Sequence, residues 1–364
     1  MTRSSQTDRL SPAEALRLLE EGDLLELAEA ADRACRRLHP EPYRTYAIDR
    51  NINVTNVCAC RCLFCAFWRS PDDPEAYVLD DGTLSAKIAE AVELGATHIL
   101  MQGGIHPGLG LAYYEDLLRR IRRRFSVSLH CFSPPEVCAL ARREGVAVRG
   151  VLERLCAAGL DSLPGGGAEI LVDRVRRIIS PRKCSAREWL DCMRAAHALG
   201  MPTTATMVFG HVERKAERIE HLRRVRDLQD ESLAGKCHGR AGGFTAFIAW
   251  PFQAPNTALA RSGALGDDWR PVTGAEYLRM IAVARLFLDN IPNLQASWVT
   301  MGPKIGQAAL AFGANDLGST MIEENVVAAA GCVHRASPES LARLIRAAGF
   351  QPHRRDCYYG IAGV

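Results

Sequence analysis

Three cysteines in one short run constrain this chain more than any other feature of its sequence. Cys58, Cys62 and Cys65 stand in the segment NVCACRCLFCAF, separated first by three residues and then by two. Thiolates at this spacing suit one face of a four-iron, four-sulfur (4Fe-4S) cluster, which keeps its fourth iron open for a small molecule. The spacing therefore predicts that these three residues are metal ligands of a centre that can pass an electron to a bound compound.

Two other uses of cysteine fit the sequence less well. A structural zinc site usually has four ligands, often as two Cys-x-x-Cys pairs, and no second pair follows CLFC. A disulfide framework is unexpected in a chain of 364 residues whose 13 cysteines are an odd number. Cys60 lies inside the motif but does not fit its spacing, so we expect it not to be a ligand. A non-enzymatic barrel that binds zinc remains the most distant alternative.

Composition excludes several classes of protein. Apolar residues make up 48% of the chain and charged residues 24%, as in ordinary globular proteins. The net charge of +3 is small and the basic residues are dispersed, which argues against nucleic-acid binding. The sequence has no run of 18 apolar residues, so it predicts no helix that spans a membrane. The N-terminus carries charges where a signal peptide needs an apolar core. We therefore expect a cytoplasmic protein.

Strand and helix patterns alternate along most of the chain. Eight such units over about 280 residues indicate an α/β fold, a closed (β/α)8 TIM-type barrel with a parallel sheet and helices outside. The barrel is expected at 41–330, a helical extension at 1–40 and another at 331–364. The Gly-rich stretch 232–242 is expected to be an inserted surface loop.

Unusual residues follow the expected strands, where barrel enzymes place their active sites. Gly103 and Gly104 follow the second strand, a Gly-Gly-Gly run with Glu169 follows the fourth, and His211 with Glu213 follows the fifth. Each glycine group also fits a plain tight turn. No GxGxxG or GxxxxGK[ST] pattern accompanies them, so a dinucleotide-binding fold and a P-loop NTPase are poor candidates.

The cysteine loop resembles that of radical S-adenosylmethionine (SAM) enzymes. This resemblance implies a 4Fe-4S cluster whose open iron binds the amino and carboxylate groups of SAM, and a low-potential electron donor that the sequence does not identify. It also implies cofactor-binding roles. Gly103 and Gly104 would approach the methionine amino group, Glu169 would bind the ribose hydroxyls, and Phe64 would pack near the adenine.

Longer segments resemble one family within this superfamily, the cyclic dehypoxanthine futalosine synthases of menaquinone biosynthesis by the futalosine pathway. The likeness runs from about residue 40 to the C-terminus. Sister families share the cluster loop and a GAND-like segment, so aminofutalosine synthase and a deazaflavin chromophore synthase subunit remain alternatives. The segments that carry the resemblance are IDRNINVTNVC, CAFW, LDSLPGGGAEILVDRVRRIISPRKC, TTATMVFGHVE, GGFTAFIAWPFQ, LDNIPNLQASWVTMGPKIGQ and GANDLGSTMIEENV.

The resemblance implies a cyclisation of dehypoxanthine futalosine by a SAM-dependent oxidoreductase. A 5′-deoxyadenosyl radical would take hydrogen from C4′ of the substrate's ribose, and the carbon radical would add to its benzoate ring. A base would then accept the last proton, and His211, Glu213 and Asp316 are catalytic candidates because they stand at expected strand ends. Trp250 and Trp298 would line an aromatic pocket, although core packing is the commoner role of tryptophan.

A few residues depart from the pattern of the family. Val54 and Trp68 each stand where we expect Tyr, and they flank the cluster loop. Ala249 replaces a Pro in an IPWPF-like segment, and the later Pro is shifted to Ala254-Pro255. These changes put the fit of SAM or substrate in doubt, but none removes an expected cluster ligand.

Overall fold

The structure, a computed structural model, describes residues 9–235 and 242–362. Most of the expected surface loop at 232–242 therefore lies outside the described residues, and its first residues continue a long helix. The strands are β1 Tyr43–Ala47, β2 Asn51–Ile52, β3 His98–Met101, β4 Ser128–Cys131, β5 Pro202–Phe209, β6 Gly243–Pro251, β7 Asn293–Gln295, β8 Asp316–Ser319 and β9 Gln351–Arg354.

A ring of parallel pairings connects eight positions of the sheet. β5 to β8 pair in sequence, β8 pairs with β1, and β2 pairs with β3 and β3 with β4. Single bridges at Ser162 and Leu163 join β4 to β5. Because β1 and β2 are two parts of one interrupted strand, the ring closes. The prediction of a (β/α)8 barrel is confirmed.

The helices cover the outside of the ring and both ends of the chain. Several begin with a capping box, in which a Ser or Thr side chain and a Glu three residues later each accept a backbone N–H, as at Ser185 and Glu188. The helices are α1 Pro12–Glu21, α2 Leu24–Leu38, α3 Asp81–Glu93, α4 Leu111–Arg124, α5 Pro134–Glu144, α6 Val148–Ala158, α7 Asp173–Ile179, α8 Ala186–Ala198, α9 Lys215–Ala234, α10 Ala258–Arg261, α11 Gly274–Phe287, α12 Trp298–Met301, α13 Pro303–Ala309, α14 Asn325–Ala329 and α15 Pro338–Ala347. Among the described residues, none of these helices has the length and apolar character needed to cross a membrane.

The N-terminal extension contains two helices, α1 and α2. Asp23 separates them, because its side chain accepts hydrogen bonds from the backbone N–H groups of Leu25 and Glu26 and so caps α2. This extension packs mainly against α9 and α11 on the outside of the barrel.

The sequence led us to expect a helical C-terminal extension, but this extension also contains a strand. After α15 the chain forms β9, which pairs in parallel with β1 from Tyr43↔Gln351 to Tyr46↔Arg354. The following residues reach the barrel interior, where Arg355 and Tyr359 line the central cavity. The C-terminal segment therefore contributes to the barrel, and the domain limits at residues 40 and 330 stay predictions.

Candidate active site

The three cysteines of the motif line one cavity at the end of the first barrel strand. This cavity has a volume of about 200 Å³ and includes Cys58, Cys62 and Cys65. The loop is held by backbone hydrogen bonds, in which the Cys58 N–H donates to the Arg69 carbonyl oxygen at 3.1 Å and the Cys65 N–H to the Cys62 carbonyl oxygen at 3.2 Å. The thiol of Cys60 instead points to the carbonyl oxygen of Arg182, at 3.6 Å.

Three thiols at one cavity are the ligands that a 4Fe-4S cluster with one open iron needs. Among the described residues, no three His, Cys, Asp or Glu side chains converge as the ligands of one metal ion would. A 4Fe-4S cluster asks for a different geometry, because each thiolate binds its own iron. Lys183 also lines this cavity, and its positive charge would help to offset the negative charge of a cluster bound by thiolates.

The loop after β3 packs tightly against the cysteine loop. A Cβ atom on Gly104 would lie 2.2 Å from the carbonyl oxygen of Val57, so no larger residue fits there without moving the loop. The Gly104 N–H donates to the Thr55 carbonyl oxygen at 2.8 Å, and the Ala59 N–H donates to the Ile105 carbonyl oxygen at 2.9 Å. Gly103 and Gly104 both line the cysteine cavity, and the absence of a side chain at Gly104 is what lets the two loops meet.

Glu169 lies at the junction of the cysteine cavity and the central cavity. One of its oxygens accepts a hydrogen bond from Lys183 Nζ at 2.7 Å, and the other is 3.4 Å from Arg176 Nη1. Its backbone φ of +41° lies in the left-handed region that a non-glycine residue seldom adopts. Strain of this kind is commonly retained at functional sites. Phe64 also lines both cavities, and Lys183 Nζ is 5.1 Å from its ring centroid.

A second carboxyl group, Glu136, faces the cysteine cavity from the start of α5. It accepts a hydrogen bond from Ser133 Oγ at 2.5 Å and one from the Gly103 N–H at 3.3 Å. Burial raises its pKa to about 8, against the lowering effect of these hydrogen bonds. Glu136 is therefore protonated at neutral pH when no cofactor is bound.

Replacing Glu136 with Gln should remove a pH dependence of stability in the cluster-free protein. Its pKa rises from about 4.5 in the unfolded chain to about 8 in the folded one, so the folded state holds an extra proton between these values. The contribution of Glu136 to the free energy of unfolding is therefore largest below pH 4.5. It falls as the pH rises towards 8, by up to about 1.4 kcal/mol per pH unit. Urea unfolding at about pH 5.5 and pH 7.5 measures the change. Exposed Glu93→Gln is the control, and an unchanged pH slope in Glu136→Gln would refute the assignment.

The barrel interior contains a second, larger cavity of about 300 Å³. Barrel interiors are usually filled by branched apolar side chains, but here several polar side chains stand among the apolar ones of the lining. Polar side chains reach it from the strands β2 to β5, from the residue directly after β3 and from a residue two positions before β2, namely Asn51, His98, His130, Thr204, Thr206, Gln102 and Asp49. Aromatic side chains come from other parts of the ring and from the cysteine loop, namely Phe64, Trp250, Phe252 and Trp298. Both tryptophans that the sequence singled out therefore reach the cavity.

His211 and Glu213 lie together after β5, but they do not line either cavity. His211 Nδ1 is 2.9 Å from Glu213 Oε2, and its Nε2 is 3.0 Å from the Val208 carbonyl oxygen. Glu213 also accepts a hydrogen bond from Arg218 Nε at 2.7 Å. Burial disfavours the charged form of Glu213, but His211 and Arg218 outweigh it and lower the pKa of the carboxyl group. Both side chains are fully covered, which leaves neither free to meet a substrate.

Asp316 is also a poor match for the catalytic role that the sequence suggested. It begins β8, at the opposite end of the barrel from the cysteine loop. Its carboxylate accepts two hydrogen bonds from Arg355, at 2.6 and 2.9 Å, and one from Thr45 Oγ1 at 2.5 Å. Asp316 is completely buried. These contacts make it an anchor for the C-terminal segment.

Sequence reasoning missed several polar groups that the fold brings to the cavities. Lys183 stands in the segment SPRKC that carried the family resemblance, and Glu136 in the segment SPPE after β4. His98 and His130 occupy inward positions of neighbouring strands, with Leu100 opposite His130. A histidine within an expected barrel strand, at a position that the alternation of side chains turns inward, is the signal that would have found the two residues.

Comparison with known proteins agrees with this geometry. The model of the radical SAM superfamily matches residues 52–225, and that of the CofH/MqnC C-terminal region matches residues 241–363. Among experimental structures, the [FeFe]-hydrogenase maturase HydG from Carboxydothermus hydrogenoformans superposes with a TM-score of 0.72 at 14% identity, over 96% of this chain and 77% of that one. Methylornithine synthase (PylB) gives 0.66 at 15% identity, over 95% of each chain. The fold and the match to the radical SAM superfamily together define the class, a SAM-dependent enzyme that uses a 4Fe-4S cluster.

Similar proteins of known name identify the family within this class of enzymes. A cyclic dehypoxanthine futalosine synthase from Halalkalibacterium halodurans is 46% identical over 99% of this chain and 94% of its own length. One from Streptomyces coelicolor is 44% identical over 99% and 87%. The chain belongs to the cyclic dehypoxanthine futalosine synthase family. A 5-amino-6-(D-ribitylamino)uracil–L-tyrosine 4-hydroxyphenyl transferase from Methanothermobacter thermautotrophicus is also similar, at 41% identity over 94% and 88%.

Proposed function

We propose that this enzyme cyclises dehypoxanthine futalosine to cyclic dehypoxanthine futalosine. The observation that carries the proposal is identity of 46% and 44%, over 99% of the chain, to two synthases of that name. The cavity supports it. A substrate that contains both a ribose and an aromatic ring needs hydroxyl-binding groups and aromatic contacts in one enclosed space, and the barrel interior offers both.

We assign the cluster to Cys58, Cys62 and Cys65, with Cys60 excluded. When bound, the cluster and SAM supply a 5′-deoxyadenosyl radical. The residues of the cavity would hold SAM in place. Glu169 would accept hydrogen bonds from its ribose hydroxyls, Phe64 would contact its adenine, and the loop at Gly103 and Gly104 would lie against its methionine end. Lys183 adds a positive charge that would attract the SAM carboxylate.

The central cavity would orient the substrate for ring closure. Thr204, Thr206 and Gln102 offer hydrogen-bonding groups for the ribose and carbonyl oxygens, whereas Trp250 and Trp298 would pack on the arene. Holding C4′ of the ribose against the aromatic ring turns the bond-forming step into a reaction of a preorganised conformer. A substrate bound in the barrel would displace water, which would otherwise compete for reactive intermediates.

A transferase activity is the second candidate, because the 4-hydroxyphenyl transferase is nearly as similar, at 41% identity. That enzyme is named for joining two separate compounds. The two activities place different demands on the cavity, since a transferase must hold both compounds beside SAM.

Incubating the reduced, reconstituted enzyme with SAM and dehypoxanthine futalosine separates these functions. A cyclase yields one equivalent each of 5′-deoxyadenosine, methionine and a product with the carbon skeleton of the substrate and two hydrogens fewer. A parallel incubation with tyrosine and 5-amino-6-(D-ribitylamino)uracil should give no adduct. Formation of the adduct, or of 5′-deoxyadenosine without the cyclic product, would overturn the proposal.

A further inference from the structure

His130 is held in a fixed orientation on the inner face of the barrel. It lies on β4, opposite Leu100 of β3, and lines the central cavity. Its Nδ1 is 2.6 Å from the Oγ of Ser162, which stands at the fourth position of the barrel ring. At the other end of the imidazole, Nε2 has no hydrogen-bond partner among the described residues. The ring therefore presents one open nitrogen to whatever occupies the cavity.

The other histidine and the charged side chains of the cavity are already paired. His98 Nε2 is 3.2 Å from Asp49 Oδ2, and Asp49 also accepts a hydrogen bond from Ser319 Oγ at 2.5 Å. Glu324 accepts from Asn51 and from two backbone N–H groups of α14. Arg355 is bound to Asp316. Of the two histidines in the described lining of the cavity, His130 is the one with a ring nitrogen that has no hydrogen-bond partner.

We propose that Nε2 of His130 accepts the proton that the substrate's aromatic ring loses at the end of the cyclisation. The inference rests on the proposed function. When the C4′ radical adds to the ring, a carbon–carbon bond forms and the attacked ring carbon becomes tetrahedral while keeping its hydrogen. One electron then passes to a one-electron acceptor of the iron–sulfur class. The C–H bond breaks, its electron pair restores the aromatic ring, and its proton moves to Nε2.

The surroundings of His130 fit this role. Burial, together with the neighbouring His98, lowers the pKa of His130 to about 3, so the ring is neutral at physiological pH and able to accept. A weak base is sufficient, because the cation left after loss of the electron is a strong acid. The proposal requires the tautomer in which Nδ1–H donates to Ser162 Oγ, because only that tautomer leaves the lone pair on Nε2. The Asp49 carboxylate, which favours the charged form of His130, would stabilise the imidazolium while the proton is held.

Replacing His130 with Gln tests the assignment, because Gln keeps a polar side chain but is no base. We expect cyclic product to form at least about 100-fold more slowly, while one equivalent of 5′-deoxyadenosine still forms per site. Because the electron returns from the acceptor to the ring cation when the proton cannot leave, an organic radical centred on the substrate ring should then accumulate and be detected by electron paramagnetic resonance in frozen samples. Deuterium at the attacked ring carbon should slow product formation further. Added imidazole should partly restore product in His130→Ala.

Two controls separate loss of the base from a general effect of the substitution and from loss of substrate binding. His39→Gln makes the same change on the outside of the barrel, where His39 contacts the Pro292 carbonyl oxygen, and should behave as wild type. Calorimetric titration of the cluster-free His130→Gln protein with dehypoxanthine futalosine should give an affinity within about threefold of wild type.

Three results would overturn this assignment. If the His130→Gln protein loses its affinity for the substrate, or if 5′-deoxyadenosine and product fall together without a radical signal, His130 binds substrate and is not the base. If product forms at the wild-type rate, the assignment is also wrong. A wild-type enzyme that makes no cyclic product would instead overturn the proposed function.

Discussion

Cys62→Ala protein should show no broad visible absorbance after anaerobic reconstitution with iron and sulfide, and should cleave no SAM. Cys62 is one of three thiols that line the cysteine cavity, and a cluster bound through only two of them would be lost. Cys60→Ala is the matched control, two residues away in the same loop. Its thiol faces the Arg182 carbonyl oxygen instead of the cavity, so the variant should keep both the absorbance and about one cluster per chain.

Iron and labile sulfide analysis makes this comparison quantitative. Wild type and Cys60→Ala should each contain about four irons and four sulfides per chain, and Cys62→Ala almost none. If the two variants lose the cluster to the same extent, the ligand assignment is wrong. If the wild-type protein binds one zinc per chain and contains no labile sulfide, it is not a radical SAM enzyme. The alternative of a non-enzymatic barrel that binds zinc would then be supported.

Arg355→Met should lower the free energy of unfolding by about 3–5 kcal/mol, because it leaves the buried Asp316 carboxylate without its partner. Arg355 and Asp316 have side-chain exposures of 4% and 0% and two hydrogen bonds between them. The pair links the segment after β9 to the start of β8. Its loss should therefore also expose the end of the barrel that the C-terminal segment covers.

Arg354→Met is the control for this change. Arg354 is the preceding residue, is partly exposed and has no ion-pair partner among the described residues, so its replacement should cost less than about 0.5 kcal/mol. Urea unfolding of cluster-free proteins measures both. Equal stability of the two variants would show that the ion pair does not anchor the C-terminus. If the Asp316→Asn protein is as stable as wild type but inactive, Asp316 has the catalytic role that its position in the sequence suggested.

The barrel was predictable because its signals are local and repeated. Strand and helix patterns alternate, glycine ends many of the helices, and the cysteine spacing marks the first loop. The strand β9 was not predictable in the same way, since its sequence QPHR contains a proline and little apolar character. It forms because β1 presents an open edge to it, and that is a consequence of tertiary structure. The break at Asp23 was readable from the sequence, because Asp is a preferred residue at the start of a helix.

The site was predictable where a motif fixes the chemistry and less so where the fold creates it. The cysteines, Gly103, Gly104, Phe64 and Glu169 do line one cavity. His211, Glu213 and Asp316 looked similar to these in sequence, because a strand-end position does not reveal which way a side chain points or what it meets. Lys183 reaches the cysteine cavity through long-range packing, which no local pattern records, whereas the position of His130 within an expected strand was a signal that could have been read.

The most direct test of the central claim follows the hydrogen at C4′ of the substrate. Dehypoxanthine futalosine carrying deuterium at this carbon should be incubated with SAM and the reduced enzyme, and the 5′-deoxyadenosine analysed by mass spectrometry. The account predicts one deuterium in 5′-deoxyadenosine, matched by an equal amount of cyclic product without the label. Unlabelled 5′-deoxyadenosine, or label that stays in the product, would contradict it.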